Sequence, residues 1–195
     1  MAKALPIAGL DTAGPILDSV RLIVETRLGE MLAFEPYLDD VSRIYELHQM
    51  RIAAKRLRYS MEIFQPLLIE SAEYAKPFSE VTERVKALQE HLGEIHDADV
   101  LVPRLEEQMA RMLKGARAKS GKKGPPVGVD LVDLDGCQGI LRICQDVRRE
   151  RAARYRSLRK DWALYKKQRV FDNLRDLLRE AAEDCTLTGR IGAAV

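Results

Sequence analysis

Apolar residues recur at spacings of three and four along most of this chain, and strand-like alternation appears nowhere in it. A 3.6-residue period must bury one face of each helix, which confines the chain to an all-α fold. The clearest case is LHQMRIAAKRLRYSMEIF, Leu47–Phe64. Met50, Ala53, Leu57, Met61 and Phe64 fall on one side of that helix. His48, Arg51, Lys55, Arg58, Tyr59 and Glu62 fall opposite, on a stripe about 100° wide at about 100° of turn per residue. Arg56 lies on the flank.

The same spacing organises the rest. Ile16, Leu17, Val20, Ile23, Val24 and Leu28 predict a helix over about 15–34, with Pro15 in its first turn. EPYLDD interrupts it, and Asp39 or Asp40 is positioned to cap the helix that carries the cationic stripe and ends near Pro66. A third helix is expected from Phe78 to Leu92, stopped by Gly93. A fourth is expected from Ala98 to Leu113, capped by Asp97 and kinked or delayed by Pro103. KGARAKSGKKGPPVG has no acid and reads as a mobile basic loop over about 114–129. Residues from about 131 to 183 return to helix, and the ends, 1–14 and 184–195, read as loose. With 195 residues the chain fits one domain, 1–195.

No apolar run reaches the length of a membrane span, and Asp11, Gly14 and Pro15 break the N-terminal segment as a signal peptide. A cytoplasmic protein without membrane contact is expected. Cys137, Cys144 and Cys185 form no CxxC pair, so buried inert thiols are expected rather than a disulfide framework or a zinc site. Net charge is only +2. Affinity for a polyanion must therefore come from local clustering of cations.

The stripe from His48 to Tyr59 is such a cluster, roughly 16 Å long at 1.5 Å per residue. Acids at i,i+4 would relieve the repulsion on a solvated face, and here only Glu62 is available. Upstream the stripe meets Ile44 and Val41, which suggests one wall of a pocket. Arginine offers a fork for phosphate oxygens, lysine a flexible point charge, and histidine a charge gained on acidification. The bland alternative is a solvated basic face.

A second landmark is LQEHLGEIHDADV. His96 and Asp97, with His48, raise a metal-dependent phosphohydrolase of the HD type. Arg51, Lys55 and Arg58 beside His48 would repel a dication, and the simpler reading is a turn between two helices. A third candidate is the stripe Arg148, Arg151, Tyr155, Arg159, Trp162 and Lys166. It can form a facing cationic wall or pair with acids on an open surface. Nucleic acid stays open as a partner, although Tyr59 is the one aromatic near the first stripe.

Taken together, LHQMRIAAKRLRYSMEIF and LQEHLGEIHDADVLVPRL resemble the CHAD family, the conserved histidine α-helical domain. The resemblance rests on His48, Arg51 three later, Lys55 seven later, RLRY, and then LGEIHDADV. It is densest over about 43–105 and extends loosely over about 21–178. It implies a bundle of long antiparallel helices with a basic central pocket that binds inorganic polyphosphate, without catalysis and without a cofactor or metal. Carried over by motif position, the ligand contacts are His48, Arg51, Lys55 and Arg58. Arg56, Tyr59 and His96 are secondary candidates, with Arg148, Arg151 and Arg159 from the later basic stretch. Asp97 is implied to be structural. Family members commonly carry two histidine-led repeats, and this chain has one. A homodimer that restores the symmetry is therefore expected.

Overall fold

The structure, a computed structural model, describes residues 4–11, 13–69, 71–120 and 131–192. It is all-α: α1 (Ile16–Leu32), a 3-10 turn (Glu35–Tyr37), α2 (Ile44–Ile69), α3 (Ala72–Ser120), α4 (Leu131–Lys167) and α5 (Val170–Gly192). No strand occurs among the described residues. None of the described helices is long and apolar enough to cross a membrane. The chain divides into two compact units, Met1–Gly93 with Ser157–Val195, and Glu94–Arg156.

In the first unit α1 packs against α2 and α5. Val20, Val24, Leu28 and Met31 form its fully buried stripe. The core face anticipated for α2 is in place: Met50, Ala53, Leu57 and Met61 are fully buried, and Phe64 is half-buried. Burying each of the larger side chains contributes about 1.5–3 kcal/mol, which is what holds helices this charged in place. One carboxylate lies in this core. Glu30 of α1 is 7% exposed and accepts from Arg27 and from Arg56 of α2, at 2.5 and 3.1 Å. It also accepts from the backbone N–H of Leu5. A buried carboxylate needs such partners, and these join α1, α2 and the N-terminal segment.

Several expected boundaries lie elsewhere. Pro15 precedes α1 as its cap residue instead of sitting in the first turn. Asp40 accepts from the N–H and hydroxyl of Ser42 (2.9 and 2.5 Å), two residues short of α2. Those hydrogen bonds hold its carboxyl below the usual carboxylate range. Asp39 is drawn away to Arg159. α2 continues past Pro66 to Ile69, with Leu68 buried in the last turn.

The larger correction concerns α3. Gly93 does not stop a helix, Asp97 does not cap one, and Pro103 does not delay one; all lie inside a single 49-residue helix. A helical glycine costs only about 1 kcal/mol. Leu88, Leu92, Ile95, Ala98 and Val102 keep a buried stripe running past it. The helix also continues to Ser120, into the stretch read as a loop, and 121–129 lie outside the described residues.

Between α4 and α5 the chain turns at Gln168 and Arg169, and Arg169 adopts φ 51°. This left-handed position favours glycine, and no glycine marks it. Packing sets the turn: Phe171 lies 5.4 Å from Trp162 and 6.2 Å, edge-on, from Tyr165. Cys137 and Cys144 are buried and unbonded, and the Cys185 side chain lies outside the described residues.

Candidate functional site

Helical geometry places His48, Arg51, Lys55 and Arg58 in line on α2, over roughly 15 Å at 1.5 Å per residue. His48, Arg51 and Arg58 are half-buried and Lys55 is exposed. Tyr59 sits between the last two cations. Its ring centroid is 5.5 Å from Lys55 Nζ and 4.8 Å from Arg58 Cζ. Each such contact is worth about 0.5–1 kcal/mol at an exposed site, enough to bias where the two cations point.

The electrostatics of this line differ from those of other half-buried cations. Among the described residues, Arg51 and Lys55 have no carboxylate within ion-pair distance. Arg58 has Glu62 of its own helix, at 3.4 Å from Nε, but the pair is not aligned as a hydrogen bond. Arg51 Nε is also buried with no acceptor among the described residues. A buried donor without a partner typically costs about 1–3 kcal/mol, and more when charged.

Arg56, on the flank, is committed to Glu30 and is therefore a fold residue. Beside Arg51 lies Gly93 of α3, which the sequence pattern had suggested as a helix stop. A methyl group at Gly93 would come 3.7 Å from Arg51 Nε and would meet nothing else within 4 Å. The sequence signal that could have marked this residue is a lone glycine inside an otherwise apolar-periodic run.

The basic residues of α4 have other engagements. In the second unit, Arg151 makes a two-pronged contact with Asp99, at 2.5 and 3.2 Å. Arg148 pairs with Glu106, and Arg154 with Glu94 at 2.5 Å. In the first unit, Arg159 pairs with Asp39 and Lys166 with Glu35, each at 2.6 Å. Tyr155 and Trp162, anticipated on the same cationic stripe, are buried. Of the two readings of this stretch, pairing with acids is the one these contacts follow; Asp161, on the same helix, meets His91 Nε2 at 3.0 Å.

His96 is half-buried and Asp97 exposed, both in the second unit. Asp97 lines a cleft of about 260 Å³ with Glu94, Glu150, Arg151 and Arg154. No group of three or more His, Cys, Asp or Glu side chains suited to a metal ion occurs among the described residues.

Fold and face together define an all-α helical protein whose α2 presents a line of cations short of counter-charges. A model of the CHAD domain matches residues 23–106, a stretch holding part of α1, all of α2 and the first part of α3. The CHAD resemblance drawn from the sequence is thereby shown for those residues. No curated protein and no solved structure matches the chain significantly.

Proposed function

We propose that the protein is a non-catalytic module that binds inorganic polyphosphate, or a polyanion of similar phosphate spacing, along the α2 line. The observation that carries this reading is Arg51. Among the described residues it is the one half-buried Arg or Lys with neither a carboxylate nor an amide oxygen as partner. A phosphate chain supplies several oxygens within reach of one guanidinium, and a second cation follows at Lys55 and a third at Arg58. The CHAD match over this stretch is compatible with the same ligand.

In this reading Arg51 and Arg58 act as forks, Lys55 as a mobile charge, and His48 adds a donor that becomes cationic on acidification. In the same reading the protein works in the cytoplasm, and pairing of two copies would complete a second wall.

Competition decides between ligands. Labelled polyphosphate is displaced by unlabelled polyphosphate or by single-stranded RNA, for the wild type and for Arg51→Ala/Lys55→Ala. The reading expects polyphosphate to compete at least tenfold better than RNA of equal charge, and the double variant to lose most binding. Equal competition by RNA would move the reading to a nucleic-acid binder. Stoichiometric Mn, Fe or Zn, lost in His96→Ala, would move it to a metal-dependent phosphohydrolase. Light scattering on the same samples tests the homodimer.

A further inference from the structure

We propose that Gly93 and Gln89 of α3 form the second side of the anion site on α2, with Gly93 as the opening through which an anion reaches Arg51. The inference rests on the reading of the α2 line as a phosphate-binding face.

Three observations meet here. Gly93 lies in the interior of α3, where glycine weakens a helix relative to alanine. Nothing in the surrounding structure forces that choice. The φ of Gly93 is not left-handed, and a methyl group there would make only one contact, at an ordinary 3.7 Å. The fold therefore has room for a side chain that the sequence leaves out. The single atom this side chain would meet is Arg51 Nε, the buried donor with no acceptor among the described residues.

Gln89 stands four residues before Gly93, so the two share a face of α3. It is half-buried, and its Oε1 is buried with no donor among the described residues. A glutamine amide exchanges its oxygen and nitrogen by a half-turn about its last bond, so Gln89 can turn its NH2 toward an anion. An unfilled position, an unaccepted guanidinium and an unengaged amide are what an absent anion would unite. A phosphate oxygen lodged at Gly93 would accept from Arg51 Nε, with Gln89 donating from one turn away.

The test uses full-length protein, polyphosphate of defined length, and thermal unfolding in parallel. Gly93→Ala and Gly93→Leu should weaken polyphosphate binding in that order, by about tenfold and then more, as contacts to a charged donor are obstructed. Gly93→Ala should at the same time melt a few degrees higher than wild type, since alanine favours the helix. Gly29→Ala is the control: Gly29 is a helical glycine of α1 with nothing within 4 Å of an added methyl. It should also melt higher and bind unchanged. Gln89→Ala should lose severalfold in affinity.

If Gly93→Ala and Gly93→Leu bind like wild type while Arg51→Ala loses binding, the opening is disproved and the α2 line stands. If Arg51→Ala also binds like wild type, the α2 reading and this inference fall together. If Gly93→Ala binds less but melts lower than wild type, the loss is structural and the inference is overturned.

Discussion

On α2, Arg51 and Lys55 meet no carboxylate among the described residues, and Arg58 meets only Glu62 of its own helix. On α4, Arg148, Arg151, Arg154 and Arg159 each meet an acid from elsewhere in the sequence: Glu106, Asp99, Glu94 and Asp39. Written out, KRLRY and RRERAARYR both read as strongly basic. In the folded protein one set of cations joins helices within its unit, and the other lacks such partners. The difference lies in acids 42 to 120 positions from the arginines they neutralise, as Glu106 is from Arg148 and Asp39 from Arg159. Within α2 the same contrast separates Arg56, held by Glu30, from Arg51 one turn earlier.

The largest expected effect comes from breaking a paired site. Asp99→Ala removes the buried carboxylate that pairs with Arg151, whose side chain is only 16% exposed. It should lower the urea-unfolding free energy by about 3 kcal/mol, the scale for removing one partner of a buried pair. Glu30→Ala should cost a similar amount by removing the buried carboxylate that Arg27 and Arg56 share. Neither should shift polyphosphate affinity by more than about threefold under conditions where the protein stays folded, since both pairs act on packing. A large loss of affinity in folded Asp99→Ala would erase the contrast.

Next in size is a conversion of α2 to the α4 pattern. Lys55→Glu removes one cation and gives Arg51 an acid at i,i+4. Polyphosphate affinity should fall about 100-fold, as expected for losing two charge-assisted contacts. Stability should change by no more than about 0.5 kcal/mol, the size of an exposed helical pair. Arg148→Ala should leave affinity within about threefold. A smaller effect separates the two sets by salt. Log affinity should fall linearly with log salt for the wild type, and Arg51→Ala should flatten that slope by about 0.7, one single-strand-like phosphate contact. Arg159→Ala should leave the slope alone, as measured by titration at four or five salt concentrations.

These contrasts also separate what the sequence reveals from what it hides. The helical period at Met50, Ala53, Leu57 and Met61 gave both the α2 helix and its cationic face, because both follow from local spacing. Gly93 and Asp97 look like a stop and a start by the same local rules. Neither acts so, because the buried stripe through Leu92, Ile95 and Ala98 outweighs a weak local preference. The turn at Arg169 has no glycine or proline to announce it, since aromatic packing of Phe171 on Trp162 and Tyr165 fixes it. Glu30 looks like any surface acid of α1 until Arg56, 26 residues later, folds over it. Charge in this chain was legible. Its neutralisation was not, because that depends on pairs distant in sequence.

The smallest effect probes a paired cation that can lose its charge. Lys166 donates to Glu35 at 2.6 Å, and that hydrogen bond, with the carboxylate's charge, raises its pKa above the ordinary 10.5. A raised lysine favours its protonated form in the folded state. Its contribution to stability is thus complete below pH 10.5 and is lost as pH climbs through the raised folded value. Lys166→Met should be slightly less stable than wild type at pH 9, and the gap should close at more alkaline pH. Tyr74, raised to about 12 by its hydrogen bond to Asp184, and Tyr165, raised by burial, are common to both proteins. Taking the difference between wild type and variant cancels them. Arg159 with Asp39 gives the reference, because guanidinium keeps its proton throughout: the gap between wild type and Arg159→Met should stay constant over the same pH interval. A Lys166→Met gap that also stays constant would mean that the pair with Glu35 adds nothing, and that this cation of α4 is no more committed than Lys55 is on α2.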